Sequence, residues 1–266
     1  MNHKKVFLAV LMGLSMCATP AWAMRINNPR LVATLASGEV FNDSIELENN
    51  SDNPISINVY LQDFVYNPPF DGEKTFLPPK SVPSSLDGLV EFSPKSFSLQ
   101  PGEKQKVSVT MYAGSDLQLG KNGVLFFETL IGKQKDEKGV DVDMMGRVGA
   151  LLFLKPVGKE KNVSLTATAT GKTVTIKAKN TSNVFVPMKG SYFLLDPDGA
   201  ALDRGDLAER YLLQGDEGSI DLPLSANGFE KGTAVVTFDL DDGDMKVYEI
   251  DVAKQGDGYA VTAVRD

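Results

Sequence analysis

The chain has 266 residues, enough for one large domain or for two of about 120 residues with a core each, and its 35 acidic against 27 basic residues give a formal net charge of −8. Its one histidine, one cysteine and one tryptophan (His3, Cys17 and Trp22) all fall in the first 23 residues. The remainder therefore has no imidazole or thiol, which excludes a Ser-His-Asp triad, a Cys-His pair, histidine- or thiolate-bound zinc and any disulfide, and an acidic chain without a basic cluster is a poor match for nucleic acid.

The first predicted element is an export signal. Lys4 and Lys5 precede an apolar run from Val6 to Leu14, too short to cross a bilayer, and Ala21-Trp22-Ala23 forms a small-x-small cleavage site. Residues 1–23 are thus expected to be removed, which takes the net charge from −8 to −10. Leu14-Ser15-Met16-Cys17 is the competing lipoprotein reading, disfavoured by the bulk of Met16. No later run is long and apolar enough for a membrane helix.

From residue 24 onward the hydrophobic period is two, the period of a half-buried strand. In "DSIELENNSDNPISINVYLQDF", Ile45 and Leu47 precede an Asn-Asn-Ser-Asp turn, and Ile55, Ile57, Val59 and Leu61 then alternate strictly. Tyr66–Leu89 holds five prolines and is expected to be a long loop or a polyproline-like edge, serving as a connection between sheets or as a recognition loop. Phe97 and Leu99, a Pro101-Gly102 turn, and Val107, Val109 and Met111 repeat the hairpin plan. Gly123–Ile131 is a further strand, followed by a charged loop, "GKQKDEKG", and a strand from Val140 to Lys155. Short antiparallel strands at this spacing predict an immunoglobulin-like sandwich over 24–156.

After Pro156 the pattern restarts. "NVSLTATAT", "TVTIKAKN", "GSYFLLD", "SIDLPLS", "TAVVTFDLD", "MKVYEIDVA" and "YAVTAVR" are seven candidate strands, the count expected of a second sandwich over 157–266. Asp206–Leu213 reads as one short helical turn between them. The short junction "KPVGKEKN" lacks a flexible Ser/Gly tract, so the two sandwiches should hold a fairly fixed angle.

What chemistry remains is carboxylate chemistry. A glycosidase-like pair needs two acids about 5 to 9 Å apart in a cleft, whereas the acids here fall mostly in turns and at alternating exposed positions, so no enzyme and no cofactor are expected. Asp239–Asp244, "DLDDGD", differs from a calcium loop because Gly243 stands where the third ligand should be. Asp242-Gly243 instead fits a two-residue hairpin turn whose central residues take positive φ.

The residues that stand out lie between Val140 and Lys155. Val140, Val142 and Met144 alternate with Asp141 and Asp143, and the same parity continues through Val148, Ala150, Leu152 and Leu154. Leu151 and Phe153 make the opposite face apolar as well, but only near the end. Two roles fit one strand at different ends. The distal part, Val140 to Met144, is an edge that could pair with another chain, while the proximal part is packed by its own core on one face and by the second sandwich on the other.

These features resemble the periplasmic pilus-assembly chaperones, the PapD-like family. The likeness is carried by the signal peptide, by two immunoglobulin-like domains, and by a first domain that closes on a hydrophobic strand with an aromatic-x-basic-Pro tail, Phe153-Leu154-Lys155-Pro156. "SIELENNSDNPISINVYLQDF", "SFSLQPGEKQKVSVTM" and "NNPRLVATL" are similar to that family's early strands. The resemblance implies a periplasmic factor that binds secreted pilin-like subunits by lending them a strand, with an outer-membrane usher as a further partner. It leaves self-capping by dimerisation open. It also implies a cleft between the two domains and, in it, an anchor for a subunit's terminal carboxylate, made by an arginine, matched by Arg30, and a lysine, at whose position this chain has Leu151. Arg147 is the nearest basic substitute. The expected subunit-binding set is Arg30, Val140, Val142, Met144, Arg147, Val148 and Lys155. A structural immunoglobulin-like module of the cell envelope, with the same strand already paired, is the alternative.

Overall fold

Alternation of apolar and polar residues becomes strand throughout. The computed structural model describes residues 24–158, 161–225 and 228–266. The expected signal peptide and the alternative lipidation site at Cys17 lie outside the described residues. No helix occurs among them.

The strands up to Pro156 are β1 (Met24–Ile26), β2 (Arg30–Leu35), β3 (Val40–Asn49), β4 (Ile55–Tyr66), β5 (Lys74–Leu77), β6 (Val90–Ser93), β7 (Ser96–Leu99), β8 (Lys104–Tyr112), β9 (Lys121–Lys135) and β10 (Asp141–Pro156). They form one sheet in the order β1-β3-β8-β6 and a second in the order β2-β10-β9-β4-β5, with β7 also paired to β4. Leu31, Ile45, Ile57, Val107, Phe127 and Leu152 meet between the sheets in one buried cluster. All these pairings are antiparallel except β2 with β10, where the first long strand lies parallel to the last.

The strands from Val163 pair only among themselves. They are β11 (Val163–Thr170), β12 (Thr173–Asn180), β13 (Val186–Leu195), β14 (Ala201–Leu212), β15 (Glu217–Pro223), β16 (Lys231–Asp239), β17 (Met245–Gln255) and β18 (Gly258–Arg265). Sheets β11-β12-β15 and β14-β13-β16-β17-β18 enclose a second cluster that includes Ile176, Leu194, Ile220, Val236 and Ile250. The fold is two immunoglobulin-like β-sandwiches, as the strand patterns predict.

Several local expectations are corrected. Asp206–Leu213 is not a helical turn: all but Leu213 belongs to β14, a twelve-residue edge strand that pairs with β13 and buries Leu207 and Leu212. Tertiary pairing here overrides a helix-compatible composition. The proline-rich segment contains β5, which pairs with Asp63–Tyr66 before the chain turns irregular. Buried Asp63 then organises that irregular part, accepting hydrogen bonds from the Ser81 and Val82 amides and the Ser85 hydroxyl. The charged loop is shorter than expected, since β9 runs on to Lys135 and the turn is confined to residues 136–140. The β16–β17 turn is also longer than two residues: Asp241, Asp242 and Gly243 all take positive φ, and the Leu240 amide donates to the Asp244 carbonyl. No group of three or more His, Cys, Asp or Glu able to hold a metal occurs among the described residues.

Candidate polypeptide-binding site

β10 changes character along its length. From Leu151 to Pro156 it lies between β2 and β9. Here Ala150, Leu152 and Leu154 are fully buried in the first core, while Leu151 and Phe153 face a separate aromatic cluster. Before Leu151 its only hydrogen-bonded strand partner is β9. β9 in turn pairs with β4 only from Val124 to Glu128. The distal halves of β9 and β10 therefore project as a two-stranded ribbon, open on both flanks.

The direction of the open main chain follows from one hydrogen bond. The Leu151 amide donates to the Pro29 carbonyl at 2.8 Å. Main-chain groups alternate sides along a strand, so those of Gly149, Arg147, Met145 and Asp143 face the flank that β2 does not reach. An edge of this kind is a template for another strand.

The ribbon's side chains are apolar and uncovered. Val142 and Met144 are 46% and 42% exposed, and Val140, in the turn just before the strand, is 58% exposed. Val148 is half-buried against the first core, which makes it the step between buried and open parts. A bulge adds a residue that strict alternation does not reveal. The β9–β10 register shifts between Met144 and Met145, skipping Ile131. A Cβ at Gly146 would lie 2.8 Å from Ile131 Cγ2, so Ile131 folds over that glycine on the same face as Val142 and Met144. On the other face Met145 sits opposite Leu130, both exposed. The adjoining Leu130-Ile131 and Met144-Met145 pairs were the sequence signal for this second apolar face.

At the foot of the ribbon the two sandwiches meet. The Phe153 and Phe185 rings stack at 4.6 Å, and Tyr66 stacks on Tyr211 at 5.5 Å. Burial raises the Tyr66 hydroxyl well above its ordinary pKa. The Arg30 guanidinium lies 5.2 Å from the centre of the Phe153 ring and 5.8 Å from that of Phe185, within cation–π range. Arg30 is the register partner of Leu151 across the parallel pair.

The β16–β17 turn reaches this place from the second sandwich with two carboxylates. Asp242 Oδ2 is 2.6 Å from Lys155 Nζ and 3.0 Å from Lys161 Nζ. These two ammonium donors hold the Asp242 carboxyl down to a pKa of about 2. Asp241 Oδ2 stands 3.5 Å from Arg30 Nη2, with both side chains more than two-fifths exposed. A pocket of about 240 Å³ opens beside them, lined by Arg30, Lys189, Glu209, Tyr211, Asp239 and Asp241 among others. Across it Glu209 accepts a hydrogen bond from the Tyr211 hydroxyl at 2.7 Å and pairs with Lys189 at 3.1 Å, contacts that lower its pKa.

The expected set is thus divided between two places. Arg30 and Lys155 come together at the cleft, with Lys155 engaged by Asp242. Val140, Val142, Met144 and Val148 lie along the ribbon. Arg147 lies on the ribbon strand but on its other face and away from the cleft cations: it is four residues from Leu151, about 13 Å along the strand, with its guanidinium 4.4 Å from the Phe126 ring centre. Its register partner is Glu128, which accepts a hydrogen bond from Tyr60. Asp241, Asp242 and Phe185 were not legible as site residues, because their part in the cleft depends on how the second sandwich docks.

This architecture is the fold of the PapD-like fimbrial chaperones. A chain from a chaperone–tip adhesin complex of CFA/I fimbriae biogenesis superposes with a TM-score of 0.52 at 17% identity, over 85% of this chain and 98% of that one. The class 5 fimbriae chaperone CfaA gives a TM-score of 0.50 at 16% identity, over 84% of this chain and 98% of that one. No protein-family model matches the sequence, and no curated protein matches it significantly. No helix among the described residues is long and apolar enough to cross a membrane.

Proposed function

We propose that this protein is a periplasmic chaperone-like assembly factor that binds secreted, pilin-like subunits by β-strand addition. It is exported by a signal peptide over residues 1–23 and divides into a chaperone-like domain, 24–156, and a second sandwich, 157–266. The observation that carries the reading is the open edge of β10 from Asp143 to Gly149, flanked by exposed Val140, Val142 and Met144. A structural module would keep that edge paired or covered. Arg30, exposed in the cleft at the foot of the ribbon, is the anchor for the subunit's terminal carboxylate, and Lys155 acts by holding the cleft together. The likeness to a chaperone found with a tip adhesin supports a fimbrial client, and an outer-membrane usher is the further partner in this scheme. The protein works by main-chain pairing and apolar burial, without catalysis.

The test is co-expression with candidate secreted subunits and capture through a tag on this protein. Val142→Asp with Met144→Asp places two charges on the surface a client must bury, each unfavourable by several kcal/mol if left unpaired. Capture should fall at least tenfold. Unchanged capture by the double variant would sink strand addition.

A further inference from the structure

We propose that Asp241 is a specificity-determining residue of the Arg30 anchor: it competes for the guanidinium and so selects client termini that carry a basic side chain beside their carboxylate. The inference rests on the reading of Arg30 as an anchor and names the terminus that anchor prefers.

The two neighbouring carboxylates of the β16–β17 turn are held in opposite ways. Asp242 makes short contacts with two lysines, one of them, Lys161, with only 4% of its side chain exposed. The Lys155 contact fixes the turn to β10 of the first sandwich. Asp241 makes a single, longer contact with Arg30, in the open, at 3.5 Å. A charge-assisted bond at full strength would be about 2.7–2.9 Å, and an exposed pair of this kind contributes little. Displacing Asp241 from Arg30 therefore leaves the turn docked. A guanidinium has five donors in a fork that fits a carboxylate in bidentate fashion, so an incoming terminus can make a better contact than Asp241 does.

Displacement has an electrostatic consequence. The pocket carries Arg30 and Lys189 against Glu209, Asp239 and Asp241, and Lys189 is already committed to Glu209. A client carboxylate on Arg30 leaves Asp241 without the cation it had, beside an Asp239 carboxylate that, among the described residues, accepts only the Asp241 amide. A lysine or arginine next to the client's terminus supplies it; an uncharged neighbour does not.

The probes are N-acetyl-alanyl-alanine, N-acetyl-lysyl-alanine and the C-terminal amide of each, titrated into the full chain while the Arg30 Nε–Hε resonance is followed by NMR at low salt. These dipeptides are too short to add a strand, so the result is independent of ribbon pairing. In the wild type the lysine peptide should bind about two- to fivefold more tightly than the alanine peptide, and the amides should not bind. Asp241→Asn keeps a residue that tolerates positive φ and should leave the thermal midpoint unchanged. It should tighten alanine-peptide binding about two- to fivefold and narrow the advantage of lysine. Equal binding of both peptides by the wild type, or Asp241→Asn binding indistinguishable from it, overturns the proposal and leaves the anchor standing. Arg30→Ala lacks the guanidinium resonance, so its titration is followed, beside the wild type's, through the backbone amides of Leu151 and Asp241, next to Arg30. Peptide binding unaffected by Arg30→Ala overturns anchor and proposal together, while strand addition remains subject to its own test.

Discussion

Asp242 does at the scale of one residue what a hinge would otherwise require of many. Its carboxylate is the acceptor for Lys155 and for the nearly buried Lys161, whose ammonium also donates to the Leu240 carbonyl. Replacing the carboxylate by an amide leaves a desolvated ammonium with only neutral acceptors, so Asp242→Asn should cost about 1–3 kcal/mol. The pH dependence has a definite sign. The carboxyl is near 2 when folded and 3.8 in its ordinary state, so its contribution is fully present above pH 4 and is lost as pH falls toward 2. Thermal midpoints of wild type and Asp242→Asn should differ at pH 6 and converge below pH 2. A constant gap across that range would mean that the carboxylate charge is not what holds the turn. Nothing in "DLDDGD" marks which aspartate has this duty. The turn itself was legible, because Asp and Gly accept positive φ, but its partners lie on β10 and in the linker, some eighty residues away.

At the scale of the element, β10 is one strand under two sets of constraints. Its even-numbered residues face a core at one end and open space at the other, so identical chemistry should have opposite consequences along the same row. Leu152 is fully buried, and Leu152→Ala should cost about 2–5 kcal/mol through lost burial and the cavity left behind. Val142→Asp, ten residues away on the same face, should change stability by no more than about 0.5 kcal/mol, because no native contact is lost there. Urea denaturation of the two variants measures both. A large loss for Val142→Asp would show the ribbon to be packed in the free protein. This split was readable in the sequence because the even-numbered row runs on through β10 past Gly146, while the opposite face has two consecutive alternate apolar residues only at Leu151 and Phe153. The bulge was not readable. It lies on β9, where Ile131 keeps its parity in sequence but loses its cross-strand partner, and only the register shows that. Asp206–Leu213 failed for a related reason: short segments that satisfy a helical period can also satisfy an edge strand when a long neighbour supplies the hydrogen bonds.

For the whole molecule, the question is whether two sandwiches behave as one body, because the anchor at Arg30 and the ribbon can serve one client only if their separation is fixed. Four kinds of contact fix it. The aromatic slab joins Phe64, Tyr66 and Phe153 to Phe185 and Tyr211. The proline-rich loop carries Phe70, at φ +68°, whose carbonyl accepts from the Tyr211 amide at 2.8 Å. The Gly120 amide donates to the Asn183 carbonyl, and Gln214 returns a bond to the Gly120 carbonyl. The lysine–Asp242 contacts close the far side. The loop's part in docking explains why five prolines there do not signal flexibility, a point that composition alone leaves undecided between connection and recognition. Of these contacts the slab contributes most, since a buried Phe→Ala change removes about 3–5 kcal/mol. Phe185 stacks on Phe153 and Tyr66 and lies beside the Arg30 guanidinium. Phe185→Ala should therefore weaken the coupling between sandwiches more than either core alone. Calorimetry should show one cooperative transition for the wild type and two for the variant, the sandwich of β11–β18 melting apart from that of β1–β10. If Phe185→Ala still unfolds in a single transition at an unchanged midpoint, the slab does not couple the sandwiches, and the spacing between anchor and ribbon must be set by the polar contacts alone.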